Sequence, residues 1–346
     1  MTYIDHLQTI EILSGEFVYR WDGIDWTQIL INPPYPWSRD SAGWGYDSVH
    51  SESVLFLSPE NETWLFDGVQ WQQASYSYVM PSVSYNRLVC DSGKEEMMFY
   101  THVEENGGLR FRGNTYIWDG TDWEARIAPN RPRPMALHNM ADAMDGRGVL
   151  LLEDGHYGTW ELVNHQWFEH PVTDGPDTDN VCYRLATDRS RNRVVCYGGE
   201  SRETWEWDGH VWERKYPATS PPVRFYHAMG YHAHADQLMV FGGCADGMTC
   251  LNDAWQWTGT NWVQMNTPNR PPPMCAWDTA YDEKRQRLII FGGFVYNYQE
   301  IPGVWEWDGS SWHEYQPDTM PGELSVHTYL FYDLNMEKTV IYQARP

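Results

Sequence analysis

The chain has 346 residues, 42% hydrophobic and 21% charged, a balance that excludes collagen, coiled coil and long disorder. No apolar run approaches the roughly 20 residues that a membrane helix needs. Counting 24 Lys+Arg against 48 Asp+Glu gives a net charge of −24, so neither nucleic acid nor a membrane is expected as a partner, because neutralising phosphates takes clustered Lys and Arg.

Residues 1–13 lack a basic segment followed by an apolar one, so a cytoplasmic location is expected, with secretion left open. Residues 1–15 are read as an extra strand or a plug. From there a repeat begins. Its motif runs from Tyr19 to Trp26, Trp64 to Trp71, Tyr116 to Trp123, Trp160 to Trp167, Trp205 to Trp212, Trp255 to Trp262 and Trp305 to Trp312. The closing tryptophans are separated by 45, 52, 44, 45, 50 and 50 residues. The copies fill the chain and leave no room for a second domain, so residues 1–346 are read as one.

Asp-Gly between two aromatic runs is a two-residue hairpin signal. With Asp208-Gly209 as the loop, Trp205 is expected opposite Trp212, and the other copies follow the same count. A second hairpin precedes each motif, as in Tyr226 to Gly243 and Trp277 to Gly293. An aspartate opens its turn at Asp47, Asp91, Asp145, Asp188, Asp282 and Asp333, with His232 the exception; an Asx turn is the expected role. Rings this large bury about 150–250 Å2 each, more than one small sheet can hide. Four strands per copy therefore imply an all-β, seven-bladed β-propeller of four-stranded antiparallel blades. The chain begins with a second hairpin (Tyr19 to Trp26) and ends with a first one (Val326 to Tyr342), so the last blade is expected to be closed jointly by N- and C-terminal strands.

Phe-Gly-Gly, then Trp-x-Trp-Asp-Gly-x-x-Trp, then a Pro-rich linker and Arg-x-x-His resembles the bacterial kelch repeat. The best copy runs from Arg224-Phe225-Tyr226-His227 through Phe241-Gly242-Gly243 to Trp255-Gln256-Trp257. The glycine pair stands at Gly198-Gly199, Gly242-Gly243 and Gly292-Gly293, and is lost at Leu57-Ser58, Thr101-His102 and Glu153-Asp154. In propellers of this kind the first strands line the central channel, and the resemblance implies a binding or interaction module with its site at the channel mouth.

Seventeen of the twenty tryptophans belong to the motif and are read as packing between blades. Trp37, Trp44 and Trp277 are left over. Aligned first strands gather Arg39, Asp40, Asn86, His138, Asp179, Asn180, Arg224, His227, Asp278 and His327 near the channel mouth. The candidate ligand-binding set is Arg39, Asp40, Trp44, His138, Arg224, His227, Trp277, Asp278 and His327. It suits a protein or small-molecule partner, cationic or carbohydrate, since an aromatic beside acidic groups holds either.

If the pocket is catalytic, Tyr226, His227, His327 and Asp278 carry the chemistry. Arg224 to His227 resembles the Arg-x-Tyr-His stretch of galactose oxidase, which would make Tyr226 and His227 copper ligands. The cross-linked second tyrosine of that family has no counterpart beside Ser325, Val326 and His327. A transition metal on His227 and His327 remains as the cofactor option.

Six cysteines in a chain this long do not form a disulfide scaffold. Cys244 and Cys250 flank one loop and are positioned by sequence to close a small ring. Cys90, Cys182, Cys196 and Cys275 sit in apolar runs as buried thiols. No CxxC pair marks a thiolate zinc site.

Overall fold

The structure is a computed structural model. It describes residues 10–14, 17–21, 26–30, 42–47, 50, 52–57, 61–66, 70–75, 84–91, 96–105, 110–126, 132, 140–142, 149–152, 158–163, 166–170, 175–176, 181–245, 249–275, 279–282, 285–291, 293–295, 299–301, 303–315, 327–333 and 338–344. Every regular element among the described residues is a β-strand, so none of them forms a helix long and apolar enough to cross a membrane.

Strands β1 (Ile10–Ser14), β2 (Phe17–Trp21) and β3 (Trp26–Leu30) form a three-stranded sheet. Six four-stranded antiparallel sheets follow. The first holds β4 (Ala42–Asp47), β5 (Glu52–Leu57), β6 (Glu62–Phe66) and β7 (Trp71–Gln73). The second holds β8 (Ser84–Asp91), β9 (Glu96–Glu105), β10 (Arg110–Trp118) and β11 (Trp123–Arg126). The third holds β12 (Met140–Asp142), β13 (Val149–Leu152), β14 (Thr159–Val163) and β15 (Gln166–His170). The fourth holds β16 (Val181–Asp188), β17 (Arg193–Gly199), β18 (Thr204–Trp207) and β19 (Trp212–Lys215). The fifth holds β20 (Ala228–His232), β21 (Gln237–Phe241), β22 (Ala254–Trp257) and β23 (Trp262–Met265).

The sixth starts with β24 (Thr279–Asp282) and β25 (Arg287–Phe291), and carries a small ribbon of β26 (Phe294–Val295) and β27 (Gln299–Glu300). It ends with β28 (Val304–Trp307) and β29 (Trp312–Tyr315). Last come β30 (His327–Asp333) and β31 (Lys338–Ala344), paired with each other.

First strands of successive sheets lie side by side: β4 by β8, β12 by β16, β16 by β20, β20 by β24 and β24 by β30. The third strands β18 and β28 are buried throughout, whereas the fourth strands β19, β23 and β29 expose the two residues after a buried tryptophan. The sheets thus fan outward from their first strands. Residues 10–14 resolve the open reading of the N-terminal stretch as a strand, which pairs with β2 and runs beside β31.

Both faces of β21 are dry, since successive side chains point opposite ways and each face meets a neighbouring sheet. On β21, Leu238 and Val240 pack with Ala186, Val195 and Tyr197 of the fourth sheet. Their neighbours Met239 and Phe241 pack with Leu288, Ile290 and Trp305 of the sixth. Each tryptophan ring buried between sheets contributes roughly 4–6 kcal/mol of transfer free energy before ordering costs are subtracted.

The hairpin register differs from the sequence expectation. Trp207 pairs with Trp212 and Trp205 with Arg214, so the loop has four residues, Asp208 to Val211. The same holds for Trp118 with Trp123, Trp257 with Trp262 and Trp307 with Trp312. Where the loop opens with Asp-Gly the reason is the aspartate; at Thr258 the hydroxyl takes its place, accepting from Asn261 N (3.1 Å). Asp208 Oδ1 accepts from His210 N (2.8 Å) and Val211 N (2.9 Å), which takes the loop past two residues. Only the glycine then needs positive φ: 93° at Gly120, 98° at Gly209 and 95° at Gly309. The two facing indoles tilt against each other with centroids 5.2–5.5 Å apart in all four pairs.

Candidate functional site

Residues 222–227 lead into β20. Arg224 is fully buried and its guanidinium is engaged on three sides. It donates from Nη1 to Gly242 O (2.8 Å), from Nη2 to Asp253 Oδ2 (2.8 Å) and from Nε to Pro222 O (3.2 Å). The glycine pair explains the close approach. A Cβ on Gly243 would lie 2.6 Å from Phe225 O, and one on Gly242 would lie 2.8 Å from Met274 O. Both glycines have positive φ, 60° and 91°. The pair therefore lets the end of one sheet touch the loop leading into the next: Gly199 N donates to Arg224 O (3.0 Å) and Gly243 N to Met274 O (2.9 Å).

Charge is concentrated and compensated in this layer. Burial alone would raise the Asp253 pKa, but the hydrogen bond and charge of Arg224, with Trp255 Nε1 as second donor, hold its carboxyl below the usual range. His227 is fully buried. Desolvation, then the charges of Arg224 and Arg184, push its pKa well below the ordinary histidine value, so the ring is neutral at pH 7. Its imidazole meets Tyr197 edge to face, centroids 6.1 Å apart.

Tyr226, between these two buried residues, turns the other way. It is 43% exposed and sits at φ 52°. A left-handed conformation costs a bulky residue on the order of 1–2 kcal/mol, and the surrounding hydrogen bonds impose it. Phe225 N donates to Cys244 O (2.9 Å) and Cys244 N to Phe225 O (2.8 Å), while Arg224 and His227 are held in the interior. The Tyr226 ring lies edge-on to Phe294, centroids 5.9 Å apart.

Beside this aromatic pair, three cysteines converge. Cys244 is disulfide-bonded to Cys275, 31 residues away in sequence, and not to Cys250 as the short loop suggested. Cys250 is the free thiol, with its Sγ 3.5 Å from that of Cys244 and 3.8 Å from that of Cys275. The expectation of buried thiols at Cys275 and Cys196 is likewise corrected, since both are disulfide-bonded. The correction has a topological cause. Cys275 belongs to the loop leading into the next sheet, and the Gly243–Met274 contact brings that loop to Cys244.

Of the other sequence candidates, Arg39, Asp40, His138, Asp179, Asn180, Trp277 and Asp278 lie outside the described residues. Trp44 lies on β4 opposite Leu55, and His327 opens β30 opposite Ala344; their side chains lie outside the description. One participant escaped the sequence reading. Asp253 carried a usable signal, an acid two residues before the first tryptophan of the third strand, shared with Glu62 and Glu203, whose carboxylates accept from Trp64 and Trp205 (both 2.9 Å).

Neither a family model nor a curated protein matches the chain. Among solved structures, YjhT, a kelch-type protein, is 13% identical, with a TM-score of 0.50 over 82% of this chain and 99% of that one. The Dos1 propeller is 10% identical, with a TM-score of 0.49 over 88% and 78%. The first likeness is one of fold alone, and that fold is the β-propeller.

Proposed function

We propose that the chain is a kelch-type binding module: a seven-bladed propeller whose ligand face is the one carrying Tyr226. The seventh blade in this reading combines β30–β31 with the N-terminal strands, a reading supported by β1 lying beside β31 and β30 beside β24. The observation that carries the functional part is Tyr226, an exposed aromatic in a strained backbone conformation, clamped by buried polar neighbours on a rigid frame. Strain of this kind collects at binding and switching sites, and propeller loops are where partners are met. Arg39, Asp40, Trp44, His138, Trp277, Asp278 and His327 complete that face in this reading. A chain of net charge −24 with an aromatic platform suits cationic or carbohydrate ligands.

Arrays of glycans and of Lys/Arg-rich peptides, probed with wild-type protein and Tyr226→Ser, test the proposal. A signal that the wild type gives and the variant loses by tenfold or more supports it. Equal signals from both proteins, or none from either, overturn Tyr226 as the anchor.

A further inference from the structure

The geometry points to a thiolate metal site: in the reduced protein, Cys244, Cys250 and Cys275 close around one thiophilic d10 ion, Zn(II) or Cu(I). This goes beyond the binding-module reading and does not depend on it.

The three sulfurs lie within 4.8 Å of one another, and no histidine or carboxylate among the described residues joins the group. Their meeting is imposed by backbone and does not need the disulfide. Cys244 and Cys250 face each other as an antiparallel bridge. Cys275 exchanges backbone hydrogen bonds with Phe294, 2.9 and 3.0 Å. Met274 N donates to Leu251 O (3.1 Å) while its carbonyl accepts from Gly243 N (2.9 Å), which ties the Cys275 segment to both ends of the Cys244–Cys250 loop.

The arrangement of the sulfurs separates two chemistries. A thiol poised for disulfide exchange approaches along the S–S axis, so its distances to the two bonded sulfurs differ by about one S–S bond length, roughly 2 Å. Cys250 Sγ stands 3.5 and 3.8 Å from them, almost equidistant. It meets the pair broadside, as the third corner of a triangle. Sulfurs sharing a tetrahedral ion at the usual zinc–sulfur distance of about 2.3 Å lie roughly 3.8 Å apart, which matches both open edges.

The surroundings suit soft donors. Cys244, Cys275 and Phe294 form a buried cluster with Cys250 packed against it, and all-sulfur ligation selects Cu(I) and Zn(II) over harder ions. Cys250 is half-buried, which gives an ion its route in. Binding converts three thiols to thiolates and releases up to three protons. Copper(I) is then three-coordinate, and zinc takes one water as fourth ligand. The disulfide withdraws two of the three ligands; a phosphine reductant supplies the two electrons that restore them.

The full-length protein is reduced with phosphine under anaerobic conditions and titrated with Co(II) followed by Zn(II), and separately with Cu(I) against a chromophoric chelator. One equivalent is expected, with sulfur-to-cobalt charge transfer that zinc abolishes or with copper captured from the chelator; the arm that responds identifies the ion. Cys250→Ser leaves the Cys244–Cys275 pair intact and is expected to weaken binding at least 100-fold at an unchanged melting temperature. Cys250→Ala is expected to do the same. Oxidised wild-type protein is expected to bind neither ion at this site. Absence of binding by the reduced protein in both arms, or equal binding by wild type and the two Cys250 variants, overturns the site.

Discussion

Four closing tryptophans reach back to a threonine on the third strand of the preceding sheet. Trp123 Nε1 donates to Thr63 Oγ1, Trp167 to Thr115, Trp212 to Thr159 and Trp262 to Thr204, all at 2.8–2.9 Å. At the next sheet the threonine position is Ala254, and the buried Trp312 Nε1 has no hydrogen-bond partner. Ala254→Thr is therefore expected to stabilise the protein by about 0.5–1.5 kcal/mol, and Thr204→Val to destabilise it by about 1–3 kcal/mol, because a buried donor left unpaired costs more than a bond gains. Urea unfolding of the two variants checks both signs. Gly243→Ala is expected to cost more than either, since its Cβ meets Phe225 O at 2.6 Å in a left-handed conformation; its melting curve relative to Gly230→Ala, where the Cβ meets side-chain atoms of Leu288 and Thr279, separates backbone collision from side-chain crowding. The threonines were present in the sequence as repeated letters, but their partners were not, because each bond spans more than fifty residues.

At the scale of the element, the first-hairpin turns of the fourth and sixth sheets carry a charged triad that the fifth replaces. Asp188 accepts from Arg191 Nε (2.8 Å), and Arg191 Nη1 reaches Glu206 on the third strand (2.6 Å). Asp282, Arg285 and Glu306 repeat the arrangement at the same two distances. In the fifth sheet the corresponding residues are His232, Ala235 and Gln256, and His232 Nδ1 accepts from Ala235 N (3.1 Å), so a neutral ring does the work of the Asx cap. Each turn also supports the loop of the following sheet. A Cβ on Gly259 would meet Arg191 at 2.8 Å, and one on Gly309 would meet Ala235 Cβ at 2.8 Å, so the glycine of Asp-Gly answers packing between sheets as well as turn conformation. The sequence marked the aspartates, and the arginines follow them by only three residues; the glutamates lie 15 and 21 residues beyond the arginines, too far along the chain to be joined to them by pattern.

Two consequences follow for the fifth sheet. His232→Asp alone puts a carboxylate in the turn without the arginine three residues on that partners Asp188 and Asp282, whereas His232→Asp with Ala235→Arg recreates the ion pair; the two substitutions are expected to couple favourably by about 1–3 kcal/mol in a double-mutant cycle. Burial lowers the His232 pKa, and burial with the charges of Arg224 and Arg184 lowers that of His227 further. Below about pH 6.5 the unfolded chain takes up protons that the folded one refuses, so stability falls on acidification through that value, with a slope approaching ~1.4 kcal/mol per pH unit for each histidine. Chemical denaturation between pH 7.5 and 5 measures the slope, and the His232→Asp/Ala235→Arg variant is expected to show one histidine less of it.

For the whole molecule, cohesion depends on neighbours. Among the described residues the fifth sheet buries its apolar faces against the fourth and the sixth, so loss of a neighbouring sheet leaves dry surface exposed. Deleting residues 327–344 removes the strands beside β24 and β1; calorimetry is expected to show a lower and broader transition, with loss of two-state behaviour. A net charge of −24 also opposes compaction, and added salt is expected to raise the melting temperature by screening it.

Composition and periodicity were sufficient for the strands, their order in the six four-stranded sheets and the burial of most of the described motif tryptophans, because turn chemistry and two-residue alternation are local properties. Arg224, Tyr226 and His227 were legible for the same reason, as the clearest copy of the repeat's Arg-x-x-His stretch. Which atoms meet across sheets was decided only by the tertiary structure: the two-residue shift in every Asp-Gly hairpin, the choice of Cys275 over Cys250 as partner of Cys244, and the opposite fates of Tyr226 and its buried neighbours. Those outcomes depend on where one sheet's glycines allow the next sheet's leading loop to come to rest, a distance in space that spacing along the chain does not encode.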